Sequence, residues 1–184
     1  MPHAIFIETD VDGHVAAYAA ELPGCAVFAA TDDEAAGSMP MRVSRFTAWL
    51  GDNWYEVERA AAMNGRRAAF TLDELPPSDD EFTTWLRWLE LAREELAEAL
   101  DSGDPTAAAE LLDAIERQDV TFVRELKAQA PELSSDAIDR LYAARDALTD
   151  ALAAAGPFED GVRRILRLAI ADDLRAAEAL RPSA

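Results

Sequence analysis

Histidine, cysteine and lysine are scarce in this chain, and each shortage removes a class of chemistry. His3 and His14 are the only histidines, too few for a three-imidazole zinc or nickel site. Cys25 stands alone, so neither an intramolecular disulfide nor a Cys-x-x-Cys redox pair can form. With no His or Asn placed near it in sequence to activate it, it reads as a small packed side chain. Lys127 is the sole lysine, and 17 basic residues face 36 acidic ones for a net charge of −19. The excess is concentrated: residues 1–70 hold 10 acids and 5 bases, which leaves 26 and 12 for residues 71–184. Affinity for nucleic acid comes largely from Lys and Arg displacing phosphate counterions, so this surface is expected to bind no nucleic acid and no anionic membrane. No run approaches the ~18 apolar residues of a membrane helix. Met1-Pro2-His3 opens the chain without the basic and apolar regions of a signal peptide, and the expected location is cytoplasmic. Glycine-rich phosphate loops, HExxH and a Ser-His-Asp ordering are also missing. No catalytic residue and no cofactor is assigned.

What is present reads as two domains, 1–76 and 77–184. In the first, residues 3–9 are apolar and branched enough for a strand, Asp10-Val11-Asp12-Gly13 supplies hairpin turn chemistry, and residues 15–20 return. Pro23 and Gly24 break that strand, and residues 25–30 form a third. Thr31 with Glu34 three residues on is a capping box that starts a helix. Its apolar stripe is Val43, Phe46, Trp49 and Leu50. Pro40 falls inside and is expected to kink or restart it. Asp10 and Asp12 with Glu8 could hold Mg²⁺, although the turn explains both aspartates. His14 could act as acid or base, or be an exposed strand-end residue.

Asp12-Gly13, Ala16-Ala17-Tyr18, Leu22-Pro23-Gly24-Cys25 and the Thr31, Glu34, Ala35 helix start come in an order that resembles the N-terminal domain of HicB-like antitoxins. The resemblance covers residues 1–50, and reaches 75 if a closing strand lies within residues 54–60 or 67–72. It implies a small sheet-plus-helix domain that binds and blocks a partner toxin. The separate DNA-binding module usual in that family is not visible here.

The second domain begins at Leu75-Pro76-Pro77-Ser78-Asp79-Asp80, a linker ending in an N-cap. A helix over residues 80–100 carries Phe82, Trp85, Leu89, Ala92, Leu96 and Leu100 on one stripe, with Trp88 and Leu91 beside it. Trp85, Trp88 and Leu91 are candidates for an interdomain seam or an aromatic ligand pocket. Asp104 and Pro105 open a second helix, expected to run to residue 130 through Leu111, Leu112, Ile115, Phe122, Val123 and Leu126. Ser134 or Ser135 caps a third with Ile138, Leu141, Leu148 and Leu152. A fourth spans residues 158–180 with Val162, Ile165, Leu166, Ala169 and Leu180. Four amphipathic helices on short connections read as a four-helix bundle, making the fold class α+β.

Leu75-Pro76-Pro77-Ser78 leading into Trp85-Leu86-Arg87-Trp88-Leu89, with a closing Val162-Arg163-Arg164-Ile165-Leu166-Arg167 helix, resembles the DinB/YfiT-like bundles. Active members hold a divalent metal through three histidines. The matching positions here fall at Ala114, Ala171 and Arg175, so the resemblance implies a bundle without its metal ligands. Asp119, Asp172 and Asp173 are weak candidates for a hard-cation cluster, the alternative being a solvated acidic face. The leading expectation is a non-catalytic protein-interaction protein, antitoxin-like, with a basic protein partner or a second copy of itself. The alternatives are a divergent DinB-like enzyme of thiol transfer or hydrolysis, and a small-molecule sensor using the bundle cavity.

Overall fold

The computed structural model describes residues 5–9, 15–19, 22, 24–52, 76–103, 106, 109–132 and 134–181. The protein is α+β and mostly helical, and it divides into two compact units, Met1–Leu75 and Pro76–Ala184.

In the first unit β1 (Ile5–Thr9), β2 (Val15–Ala19) and β3 (Ala26–Ala29) form an antiparallel sheet in sequence order. The register places Ile7 opposite Ala17 and Ala17 opposite Val27. β2 is the central strand and is buried along its whole length. A tight turn leads into β3: the Leu22 amide donates to the Ala19 carbonyl at 3.2 Å and the Cys25 amide to Leu22 at 2.9 Å. Gly24 takes a φ of 85°, a conformation that disfavours any side chain. Helix α1 (Asp32–Asp52) packs on all three strands. The Glu34 amide donates to Thr31 Oγ1 at 3.3 Å, and the Glu34 carboxylate reaches the Ala30 amide rather than the expected Thr31 one. Ala35, Met39, Phe46 and Leu50 are buried at helical spacing, while Val43 and Trp49 are half-buried at the margin of that stripe. The helix does not restart at Pro40; one lost amide bond is tolerated where the helix is held by a packed face.

The second unit contains α2 (Asp79–Ser102), α3 (Ala109–Glu125), α4 (Ala137–Ala155) and α5 (Val162–Leu180). Several boundaries differ from expectation, each for a local reason. Ser78, not Asp80, is the N-cap of α2, in a full capping box with Glu81. α3 stops at Glu125 rather than continuing to residue 130. Lys127 adopts φ 57°, the Ala128 amide returns to Val123 at 3.0 Å and the Lys127 amide to Arg124 at 2.9 Å. That pair of bonds is a Schellman termination, with lysine where glycine is usual. Asp136 rather than either serine caps α4, accepting from the Ile138 and Asp139 amides at 2.9 and 3.0 Å. α5 begins at Val162 because Gly161, at φ 80°, turns the chain into it and leaves Phe158 75 % exposed outside the helix. Asp104 and Pro105 lie outside the described residues.

Ion pairs fix the directions of these helices. Arg163 near the start of α5 meets Glu81 at the start of α2 at 3.1 Å, and Arg181 beyond the end of α5 meets Glu95. α2 and α5 are therefore parallel. Arg140 near the start of α4 meets Glu116 on α3 at 3.0 Å and Asp113 at 3.7 Å, so α3 and α4 are parallel too. Arg164 joins the start of α5 to Glu125 at the end of α3. The bundle thus runs down, up, up, down, and the segment between α3 and α4 must return along its length rather than be the short connection expected; at about 3.3 Å per residue it is long enough. α2 packs chiefly on α5 and α3 on α4. One end of the interior is aliphatic: Leu96, Ala99, Leu100, Leu112, Ile115, Leu141, Ala176, Ala177 and Leu180 form a single buried cluster.

Candidate functional site

One turn above that aliphatic cluster the same core stripes carry charge. On α4, Arg145 sits four residues after Leu141 and three before Leu148, in phase with both, and is 2 % exposed. On α3, Asp119 follows Ile115 by four and precedes Phe122 by three, and is 3 % exposed. On α5, Asp172 and Asp173 fall between Ala169 and Ala176 and are buried, as is Arg167. Arg93 on α2 lies between Leu89 and Leu96, with its side chain 16 % exposed. Helical periodicity thus delivers charge to the interior from all four helices.

The side chains meet across the bundle. Arg145 Nη2 contacts Asp173 Oδ1, and Arg145 Nε lies 3.8 Å from Asp119 Oδ2. Arg93 Nε lies 3.8 Å from Asp173 Oδ2, and Arg93 Nη1 donates to the Thr149 hydroxyl, which donates to the Arg145 carbonyl at 3.0 Å. Asp172 accepts from Gln118 Nε2 at 2.7 Å and pairs with Arg175 at 3.2 Å. Arg145–Asp173, Arg93–Thr149 and Gln118–Asp172 each join the α2/α5 pair to the α3/α4 pair. The charged layer is the polar seam between them.

Burial dominates its electrostatics, since removing a charge from water costs more than one loose ion pair returns. Burial pushes the Asp119 carboxyl up to about 6, against Arg145 and Arg93, and Asp172 adds to the rise. Asp172 is raised by burial against Arg175 and Gln118. Burial pulls Arg145 down to about 10, which leaves it charged at neutral pH. Asp119 Oδ2, Asp173 Oδ2, Arg93 Nε and Arg145 Nε make no hydrogen bond among the described residues, and they face one another in the two 3.8 Å pairs.

Asp119, Asp172 and Asp173 are thus brought to one layer and occupied by guanidinium groups and Gln118, and they are not the solvated face that was the alternative. Among the described residues no group of three or more His, Cys, Asp or Glu side chains is placed to hold a metal ion. Ala171 is buried, Arg175 pairs with Asp172, and Ala114 is exposed, so these three positions do not converge. Trp85, Trp88 and Leu91 are buried, and Arg163 lies over the Trp85 ring 5.0 Å from its centroid. His3, His14, Asp10 and Asp12 fall outside the described residues, as does the side chain of Glu8. Cys25 is 1 % exposed, and burial pushes its thiol up to about 12, so it is no nucleophile at neutral pH.

No protein-family model matches the chain, and neither a curated protein nor a solved structure matches it. Function must be argued from the molecule itself. No helix among the described residues is long and apolar enough to cross a membrane. Sequence reading missed Arg93, Arg145 and Arg167 as interior residues. The signal was available for Arg145, whose spacing from Leu141 and Leu148 is that of a core position.

Proposed function

We propose that this is a non-catalytic, protein-binding protein: a HicB-like sheet-and-helix domain followed by a DinB-like bundle that has exchanged metal ligation for ion pairs. The observation that carries the reading is Phe28 on β3, the last strand in the sheet order among the described residues, where this large aromatic is 42 % exposed. A large exposed aromatic on a small helix-backed sheet suits burial against a protein partner, since aromatic side chains dominate binding interfaces. The bundle interior supports the non-catalytic half of the reading, because its carboxylates face arginines and Gln118, and in the first unit the thiol of Cys25 is held protonated. With a net charge of −19, a basic protein is the partner that electrostatic steering favours.

The test is affinity purification of the tagged chain from its native cells, with native mass spectrometry of the eluate. A stoichiometric basic protein, lost from the Phe28→Asp variant, is the expected result. The chain eluting alone or as a homodimer sinks the partner reading, and a partner retained by Phe28→Asp moves the interface away from β3.

A further inference from the structure

One carboxylate of the charged layer is poorly served by its neighbours. Asp119 faces Arg93 from α2, Arg145 from α4, and Asp172 and Asp173 from α5. On its own helix Gln118 is committed to Asp172 and Glu116 to Arg140. Arg145 lies between Asp173 and Asp119, with neither Nε nor Nη2 making a hydrogen bond among the described residues, and Arg93 is engaged by Thr149 and Asp173. Arg175 and Arg167 act on Asp172. Two guanidinium groups therefore divide between two aspartates while Asp172 adds repulsion at Asp119, which is almost fully buried with Oδ2 lacking a hydrogen bond. A carboxyl in that position gains by becoming neutral, since the protonated form is cheaper to bury and can also donate.

We propose that Asp119 is a proton-binding site in the seam between the α2/α5 and α3/α4 helix pairs, taking up one proton in mildly acidic solution and tightening the bundle as it does so. The upward push of burial on this carboxyl agrees with the geometry. Because the folded state then holds the proton to higher pH than the unfolded chain, the contribution of Asp119 to stability is fully present below the ordinary aspartate value and is lost as pH rises through about 6. This is independent of the partner reading and would stand if that failed.

The direct test is a carbon-detected NMR titration of the Asp119 carboxyl in the full chain. A midpoint near 6 is expected; a midpoint at or below the ordinary value of about 3.9 overturns the proposal. In parallel, the Asp119→Asn variant should lose one proton's share of the decline in Tm between mildly acidic and neutral pH, keeping only what the acidic surface contributes. An unchanged decline also overturns it. Should Asp119→Asn not fold, the titration of the unaltered chain decides alone.

Discussion

Two neighbouring layers of the same bundle fill the interior in opposite ways. The end layer is aliphatic, from Leu96 and Leu100 across to Leu112, Ile115, Leu141 and Leu180. The layer above it, one helical turn away, is built from Arg93, Asp119, Arg145 and Asp173. Aliphatic packing stabilises by area and shape and tolerates several arrangements of similar volume. A charged layer contributes little net stability, because desolvation offsets attraction, but it penalises every arrangement in which a charge loses its partner. Four helices of similar length can pair in several ways, and here α2 lies parallel to α5 and α3 parallel to α4. In that arrangement Arg145 reaches Asp119 and Asp173 together, and the charged layer is expected to specify topology while the aliphatic layer supplies stability.

The largest expected effect breaks the charged layer on one side. Arg145→Met leaves Asp119 and Asp173 buried without their shared cation and should cost about 3 to 5 kcal/mol in urea unfolding followed by circular dichroism. The triple variant Arg145→Met, Asp119→Leu, Asp173→Leu should recover that loss, at the expense of uniform packing seen as broadened amide resonances. A triple variant as unstable as the single one would show that the charged layer itself stabilises the fold.

In the aliphatic layer Leu96→Ala leaves a cavity with nothing to compensate and should cost about 3 kcal/mol. Its effect should be independent of pH, whereas the Arg145→Met loss should shrink as the buried carboxylates left by the substitution protonate. Gly103 tests how tightly the same end is closed. A Cβ there would stand 2.8 Å from the Ala99 carbonyl and 2.9 Å from that of Leu180, both backbone atoms. Gly103→Ala should lose about 1 to 3 kcal/mol of stability by overpacking.

The two layers were not equally legible in the sequence. Aliphatic stripes repeat at helical spacing, so Leu96, Leu112, Ile115, Leu141 and Leu180 could be assigned inward from periodicity alone. The charged layer obeys the same periodicity, yet Arg145 breaks an apolar stripe, and in a chain with 36 acids Asp172 and Asp173 looked like surface. Periodicity also says which face is buried without saying which way a helix runs. The parallel pairing of α3 with α4 depends on the termination at Lys127, a left-handed lysine that composition does not announce. The β-β-β-α order of the first unit was readable because Gly24, Thr31 and Glu34 each have a specific backbone duty.

The smallest expected effect sharpens the comparison at the other end of the bundle, where charge is half-exposed instead of buried. Ser78 Oγ accepts from the Glu81 amide at 3.3 Å while the Glu81 carboxylate accepts from the Ser78 amide at 2.9 Å and pairs with Arg163. Burial would raise the Glu81 carboxyl, but Ser78 and Arg163 outweigh it and hold it below its usual value of 4.5. Ser78→Ala should cost about 1 kcal/mol at neutral pH. The sign of the acid response is opposite to that of Asp119. A carboxyl held low in the folded state contributes stability above its unfolded value, and that contribution is lost as pH falls through the folded value. Acidification from neutral pH should therefore first strengthen the bundle, as Asp119 takes its proton, and weaken it only below the ordinary glutamate range, as Glu81 takes its own. Unfolding measured across that range in wild type and Glu81→Gln should show the acid-side loss diminished in the variant and the rise between neutral and mildly acidic pH unchanged. A Glu81→Gln variant that lost the rise instead would place the responding carboxyl at the cap and remove the distinction between buried and half-exposed charge.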